Sequence, residues 1–224
     1  GTLWAIGYNG SGQLGTGNAT SFSSPVQIGA LTTWSKVSCG ESFTLAVKTD
    51  GTLWSWGYNG KGQLGKGNTT TYSSPVQVGS LTTWSSLGSG EEYGSAIRTD
   101  GTLWSWGDGD AGQLGQGNTT RYSTPVQVGA LTTWSKVQGG SKNQHMVKTD
   151  GTLWAVGANN VGQIGNGTTT NYSSPVQIGA LTTWADVSRS HSAAIGRTTS
   201  KTLFSWGNGG NGELGHNNTT SLSS

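Results

Sequence analysis

Residues 51–65 read GTLWSWGYNGKGQLG, and the stretch returns from Gly1 as GTLWAIGYNGSGQLG, from Gly101 as GTLWSWGDGDAGQLG and from Gly151 as GTLWAVGANNVGQIG. A worn copy, KTLFSWGNGGNGELG, starts at Lys201. Each start falls 50 residues after the last, and a fixed period of that length marks a repeat architecture. Within the stretch, Trp54 and Trp56 alternate with Leu53 and Ser55. That period of 2 belongs to a strand and not to a helix.

Working outward, each copy divides into four strand-like pieces. After TLWSWG, a glycine-rich loop and a Thr/Ser tract lead to PVQV at 75–78, then to LTTWSSLGSG, then to a more variable piece ending in SAIRTD. Proline cannot donate to a ladder, so the PVQV piece is expected as an outer strand. Asp50-Gly51, Asp100-Gly101 and Asp150-Gly151 join consecutive strands, and Asp-Gly favours a type I′ hairpin turn. Thr198-Thr199-Ser200-Lys201 lacks that pair and predicts a looser hairpin. Four antiparallel strands per 50 residues predict the blades of a β-propeller, an all-β fold in which small sheets pack face to face. Trp54 and Trp56 then need small residues facing them, and each buried aromatic contributes roughly 1.5–3 kcal/mol. A tandem solenoid is the structural alternative.

The run G-T-L-W-S-W-G-x-N-x-x-G-Q-L-G, then P-V-x-V, W-x-x-V-x-x-G and A-V-K-T-D-G, resembles the regulator of chromosome condensation repeat family, in a divergent, prokaryotic or viral-like form. The resemblance covers the whole chain and implies a seven-bladed ring whose blades start at the W-x-x-V strand. It divides the chain into a half blade (1–30), whole blades at 31–80, 81–130 and 131–180, and an incomplete blade (181–224). Seven copies would need about 350 residues, so the 224 residues are expected to be part of a longer protein.

Composition narrows function by exclusion. Charged residues are 10% of the chain, with 39 glycines, 11 tryptophans and a net charge of +2, against roughly 25% charged and about 7% glycine ordinarily. Without a Lys/Arg run there is no electrostatic footprint for nucleic acid. No apolar run reaches the ~20 residues of a membrane span, so membrane insertion is not expected. The single cysteine, Cys39, leaves no intrachain disulfide and no indication of redox compartment.

Motifs that could carry chemistry have structural readings. Gly10 to Gly15 and Gly60 to Gly65 match G-x-G-x-x-G, but no helix-forming segment follows to receive a phosphate. Asn18, Asn68, Asn118 and Asn166 head formal glycosylation acceptors in tracts that also form turns. His145, His191 and His216 occupy different repeat positions, which gives no zinc spacing. Asp108 and Asp110 are a candidate for a hard cation, though two carboxylates alone read better as a solvated turn. No catalytic constellation, cofactor site or metal site is expected.

The copies disagree in one place. Residues 38–47, 88–97, 138–147 and 188–197 read SCGESFTLAV, GSGEEYGSAI, QGGSKNQHMV and SRSHSAAIGR, while TLW, GQLG, SSPVQ and LTTW barely change. Loops on rigid scaffolds carry binding more often than the scaffold does. The candidate binding residues are Glu41, Phe43, Glu91, Glu92, Tyr93, Lys142, Asn143, His145, Arg189 and His191, with drift at unselected surface positions as the rival explanation.

The expected function is a non-enzymatic interaction or structural module with a protein or glycan partner. The Ser/Thr/Asn/Gly-rich, weakly charged surface fits an adhesin or phage appendage on a cell surface or virion, as part of a larger assembly. Two alternatives stand beside it. The resemblance implies guanine-nucleotide exchange with chromatin docking, in the cytoplasm or nucleus. A propeller lyase or lactonase is the other.

Overall fold

The computed structural model describes residues 1–223, and every regular element among them is a strand. β1 (Trp4–Gly7) and β2 (Phe22–Gln27) form a two-stranded sheet. The next sheet holds β3 (Trp34–Cys39), β4 (Phe43–Lys48), β5 (Leu53–Gly57) and β6 (Tyr72–Gln77). It is followed by β7 (Trp84–Ser89), β8 (Tyr93–Arg98), β9 (Leu103–Gly107) and β10 (Tyr122–Gln127). A third set of four is β11 (Trp134–Gly139), β12 (Asn143–Lys148), β13 (Leu153–Gly157) and β14 (Tyr172–Gln177). β15 (Trp184–Arg189), β16 (Ala193–Thr198) and β17 (Leu203–Gly207) complete the series, with a bridge between Gly207 and Leu222 beside β17.

In every sheet the spatial order follows the chain and neighbours run antiparallel, as in a propeller blade. β3, β7, β11 and β15 lie side by side on the inside. β6, β10 and β14 lie at the outer edge and carry Pro75, Pro125 and Pro175, where a missing N–H costs no ladder bond.

The core lies between sheets. Phe43, Leu45, Leu53 and Leu64 of one blade pack with Trp84, Leu87 and Trp106 of the next, and the same mixture recurs at the following two interfaces. This burial from both sides explains why Leu53, Ser55 and Trp56 are all inaccessible although they alternate in direction.

Room for the tryptophans comes from two directions. Across the sheet Trp56, Trp106 and Trp206 face Thr44, Gly94 and Ala194. From the preceding copy comes the glycine loop: a Cβ on Gly15, Gly65 or Gly165 would lie 2.7, 3.0 or 2.6 Å from the indole nitrogen. That nitrogen also ties the blades together, donating to the carbonyl of Gln13, Gln63 or Gln163 at 2.9, 2.8 and 3.2 Å. The G-x-G-x-x-G matches are thus tight turns, with Gly12 N–H bonded to Asn9 O and Gly15 N–H to Gly12 O.

Both hairpin expectations need correction. Gly51, Gly101 and Gly151 have φ near +77 to +78°, but the aspartates before them are not in the positive-φ region that a type I′ turn requires at both positions. Gly51 N–H bonds to Lys48 O and Lys48 N–H to Thr52 O. This is a type I turn closed by a left-handed glycine, the three-residue hairpin with a bulge. Asp50 Oδ1 then accepts from the amide and hydroxyl of Thr52 at 2.9 and 2.6 Å. The junction at Thr198 is no looser: Lys201 N–H bonds to Thr198 O, and Lys201 adopts φ 69° where its siblings have glycine.

Candidate binding mouth

The tips of four hairpins, each joining the first and second strand of a blade, come together at one end of the inner strands. Glu41 N–H points to Glu91 O at 3.4 Å, Glu91 N–H to Ser141 O at 3.2 Å and Ser141 N–H to His191 O at 3.4 Å. A backbone girdle therefore links four residues of the same repeat position. Ser38 and Ser89 join their hydroxyls at 2.6 Å just inside it. Beside the girdle opens a cavity of about 280 Å³ lined by Glu41, Glu91, Ser141 and His191, and by Cys39, Ser89, Gly139 and Arg189 two residues earlier. The frame is common to all copies, whereas these positions differ in charge, size and polarity.

Of the ten candidate residues, Glu41, Glu91, Arg189 and His191 line this mouth. Glu92 and Lys142 stand beside it and are engaged elsewhere, Glu92 3.9 Å from Lys61 and Lys142 3.0 Å from Asp110. Burial holds the Glu92 carboxyl above its ordinary range. The hydrogen bond to Asp110 raises the Lys142 ammonium. The other four are not loop residues. Phe43, Tyr93, Asn143 and His145 lie on β4, β8 and β12 and are buried between sheets. Tyr93 donates its hydroxyl to Asn143 O at 2.5 Å, and burial pushes its ionisation upward. Asn143 donates to Ala158 O at 3.0 Å.

Variation at Gln144 and His145 has a structural cause. Ser55, Ser105 and Ser205 donate their hydroxyls to the carbonyls of Leu64, Leu114 and Leu214 at 2.8, 2.6 and 2.7 Å. The copy from Gly151 has Ala155 instead, and the residue opposite it in the ladder is His145. The imidazole Nε2 takes over, 3.0 Å from Ile164 O. One residue on, Val156 replaces the tethering tryptophan. Opposite it Gln144 donates to Gln113 O at 2.8 Å, the bond its siblings make with an indole. Burial and the Arg189 charge drive the His145 pKa well down, so the ring is neutral at pH 7 and Nε2 carries the proton that Ile164 O needs. The sequence signal was the coincidence of WAVG at 154–157 with QH at 144–145.

The solvated turn expected at Asp108 and Asp110 needs correction at its first residue: Asp108 is buried against Arg121 at 3.1 Å, and only Asp110 is exposed, paired with Lys142. Among the described residues no group of three or more His, Cys, Asp or Glu could hold a metal ion, and no helix is long and apolar enough to cross a membrane. Asn18, Asn68 and Asn118 each accept from the amide two residues on at 2.9, 3.1 and 2.9 Å, the turn expected of such tracts.

Comparison with known proteins bears on the fold first. The chain superposes on the crystal structure of human WBSCR16 with a TM-score of 0.86 at 20% identity, covering 98% of this chain and 60% of that one. For yeast RCC1 (Prp20) bound to Kap60 the TM-score is 0.84 at 17% identity, covering 100% and 56%. For Prp20p from Saccharomyces cerevisiae it is 0.81 at 17%, covering 97% and 54%. The chain thus spans less than two thirds of each of these structures. Comparison with curated protein sequences gives no match. The model for the regulator of chromosome condensation (RCC1) repeat matches residues 1–47, 50–97, 100–143 and 150–195. With four consecutive matches over most of its length, the chain belongs to the RCC1 repeat family.

Proposed function

We propose that the chain is a non-enzymatic protein-binding propeller whose partner docks on the face carrying the four hairpin tips. One observation carries this reading: the tip positions 39, 41, 89, 91, 139, 141, 189 and 191, which differ from copy to copy, line a single cavity. Two comparisons support a protein partner over a glycan. Yeast RCC1 is bound to Kap60 in one structure, and the work on Prp20p concerns its binding properties to Gsp1p and histones. Those are properties of the yeast protein, and no exchange residue is carried over to this chain. A cell-surface or virion setting belongs to this proposal through composition alone: low charge and a Ser/Thr/Asn-rich surface.

A photo-crosslinking side chain placed at position 41 or 191, with a control at position 100 on the opposite face, tests the reading in the source cells. Adducts with one defined protein from 41 and 191, competed by excess unlabelled chain and missing from 100, are expected. Adducts from 100 alone, or equally from all three, would overturn it.

A further inference from the structure

Charge is divided across the mouth. Glu41 and Glu91 stand on one side, Arg189 and His191 on the other, and Gly139 with Ser141 lies between. The nearby cations Lys61 and Lys142 have carboxylates within 4.0 Å, but Arg189 has none among the described residues. Its guanidinium offers five N–H donors. Nη1 donates to Gln163 O at 3.0 Å and Nη2 to Asn143 Oδ1, both neutral acceptors. Nε is buried with no acceptor at all. Burial lowers its pKa to about 10, which leaves it a cation at neutral pH. A part-buried charge without a counter-charge is unfavourable unless something supplies one.

We propose that the mouth takes an acidic side chain of the partner, its carboxylate paired with the Arg189 guanidinium and with His191 beside it. This rests on the protein-binding reading above and names the chemistry that reading requires. A carboxylate matches the planar guanidinium fork and brings both the charge and the acceptors that the amide of Asn143 and the carbonyl of Gln163 lack. Glu41 and Glu91 repel an anion entering on their side, so the carboxylate is directed to Arg189. A basic neighbour in the partner's sequence fits the acidic side.

The experiment follows the Arg189 Nε–H resonance in the 224-residue chain during titration with N-acetylaspartate amide, N-acetylasparagine amide and inorganic phosphate. The carboxylate probe should shift it saturably, and the neutral asparagine probe should not. Arg189→Gln should weaken binding of the carboxylate probe at least tenfold, while Glu91→Gln should leave it equal or tighter. Arg189→Lys keeps the charge but not the fork and should also weaken it tenfold, with near-ultraviolet circular dichroism confirming an intact fold. Equal response to both organic probes, unchanged affinity in Arg189→Gln or Arg189→Lys, or phosphate bound tenfold tighter than the carboxylate would each overturn the assignment. Loss of the Arg189 response with crosslinking at 41 and 191 intact overturns this inference alone. The reverse pattern overturns only the wider docking reading.

Discussion

His145 shows how one residue can look functional and be structural. It differs from its counterparts Leu45, Ser95 and Ile195, and it is buried, neutral and in contact with Trp206 at a ring separation of 5.5 Å. Its bond to Ile164 O replaces the serine hydroxyl of the sibling blades. Substituting His145→Leu alone leaves that carbonyl without a donor and should cost about 1–3 kcal/mol. Adding Ala155→Ser rebuilds the Leu45/Ser55 arrangement and should restore most of it, measured by denaturant unfolding followed through tryptophan fluorescence. The pH dependence separates the two proteins as well. Because the folded-state pKa of His145 is depressed, the unfolded chain binds a proton that the folded chain does not once the pH falls below about 6.5. Stability of the parent should therefore fall between pH 7 and 5.5, by at most about 1.4 kcal/mol per pH unit. The double variant should lack this component.

At the scale of an element, the second hairpin of each blade is set by a single left-handed residue. A Cβ on Gly101 would lie 2.1 Å from the backbone oxygen of Thr132, and its φ is +78°. Gly101→Ala combines a clash with a disfavoured conformation and should cost at least about 2 kcal/mol. Lys201 occupies the equivalent place at φ 69° without glycine's freedom. Lys201→Gly relieves that strain and should stabilise the chain by roughly 0.5–1 kcal/mol, net of glycine's larger entropy when unfolded. A rise in unfolding midpoint for one variant and a fall for the other checks both. Asp-Gly announced a tight hairpin but not its type, because type I′ and the bulged type I turn both want glycine last. They differ in whether the aspartate must also go left-handed.

At the scale of the whole molecule, the period, the strand alternation and the outer prolines were legible because each reflects the repeated unit. Trp54, Trp56 and Pro75 do the same work in their blade as Trp104, Trp106 and Pro125 in the next. The mouth was only half legible. Glu41, Glu91, Arg189 and His191 line it, but the same variable segments hold the buried Phe43, Tyr93, Asn143 and His145, because such a segment reads as one loop. In space it is a strand end, a three-residue tip and a second strand. A blade covered on both faces gives no polar alternation to mark where the tip ends. Repeat-to-repeat variation therefore mixes compensation between blades, as at 144 and 145, with changes at the tips, which the proposed docking reading assigns to recognition.

The tips can be altered without touching the compensating pairs between blades. The chain carrying Glu41→Ser, Glu91→Ser and His191→Ser should unfold within about 2 kcal/mol of the parent, since Glu41 and His191 are exposed and half-buried Glu91 gives up one bond from the Ser141 hydroxyl. The most direct measurement is the affinity of this triple variant for the protein crosslinked at positions 41 and 191, taken under conditions where both chains are fully folded. A loss of at least tenfold is predicted. Unchanged affinity would place recognition elsewhere on the ring and contradict the account.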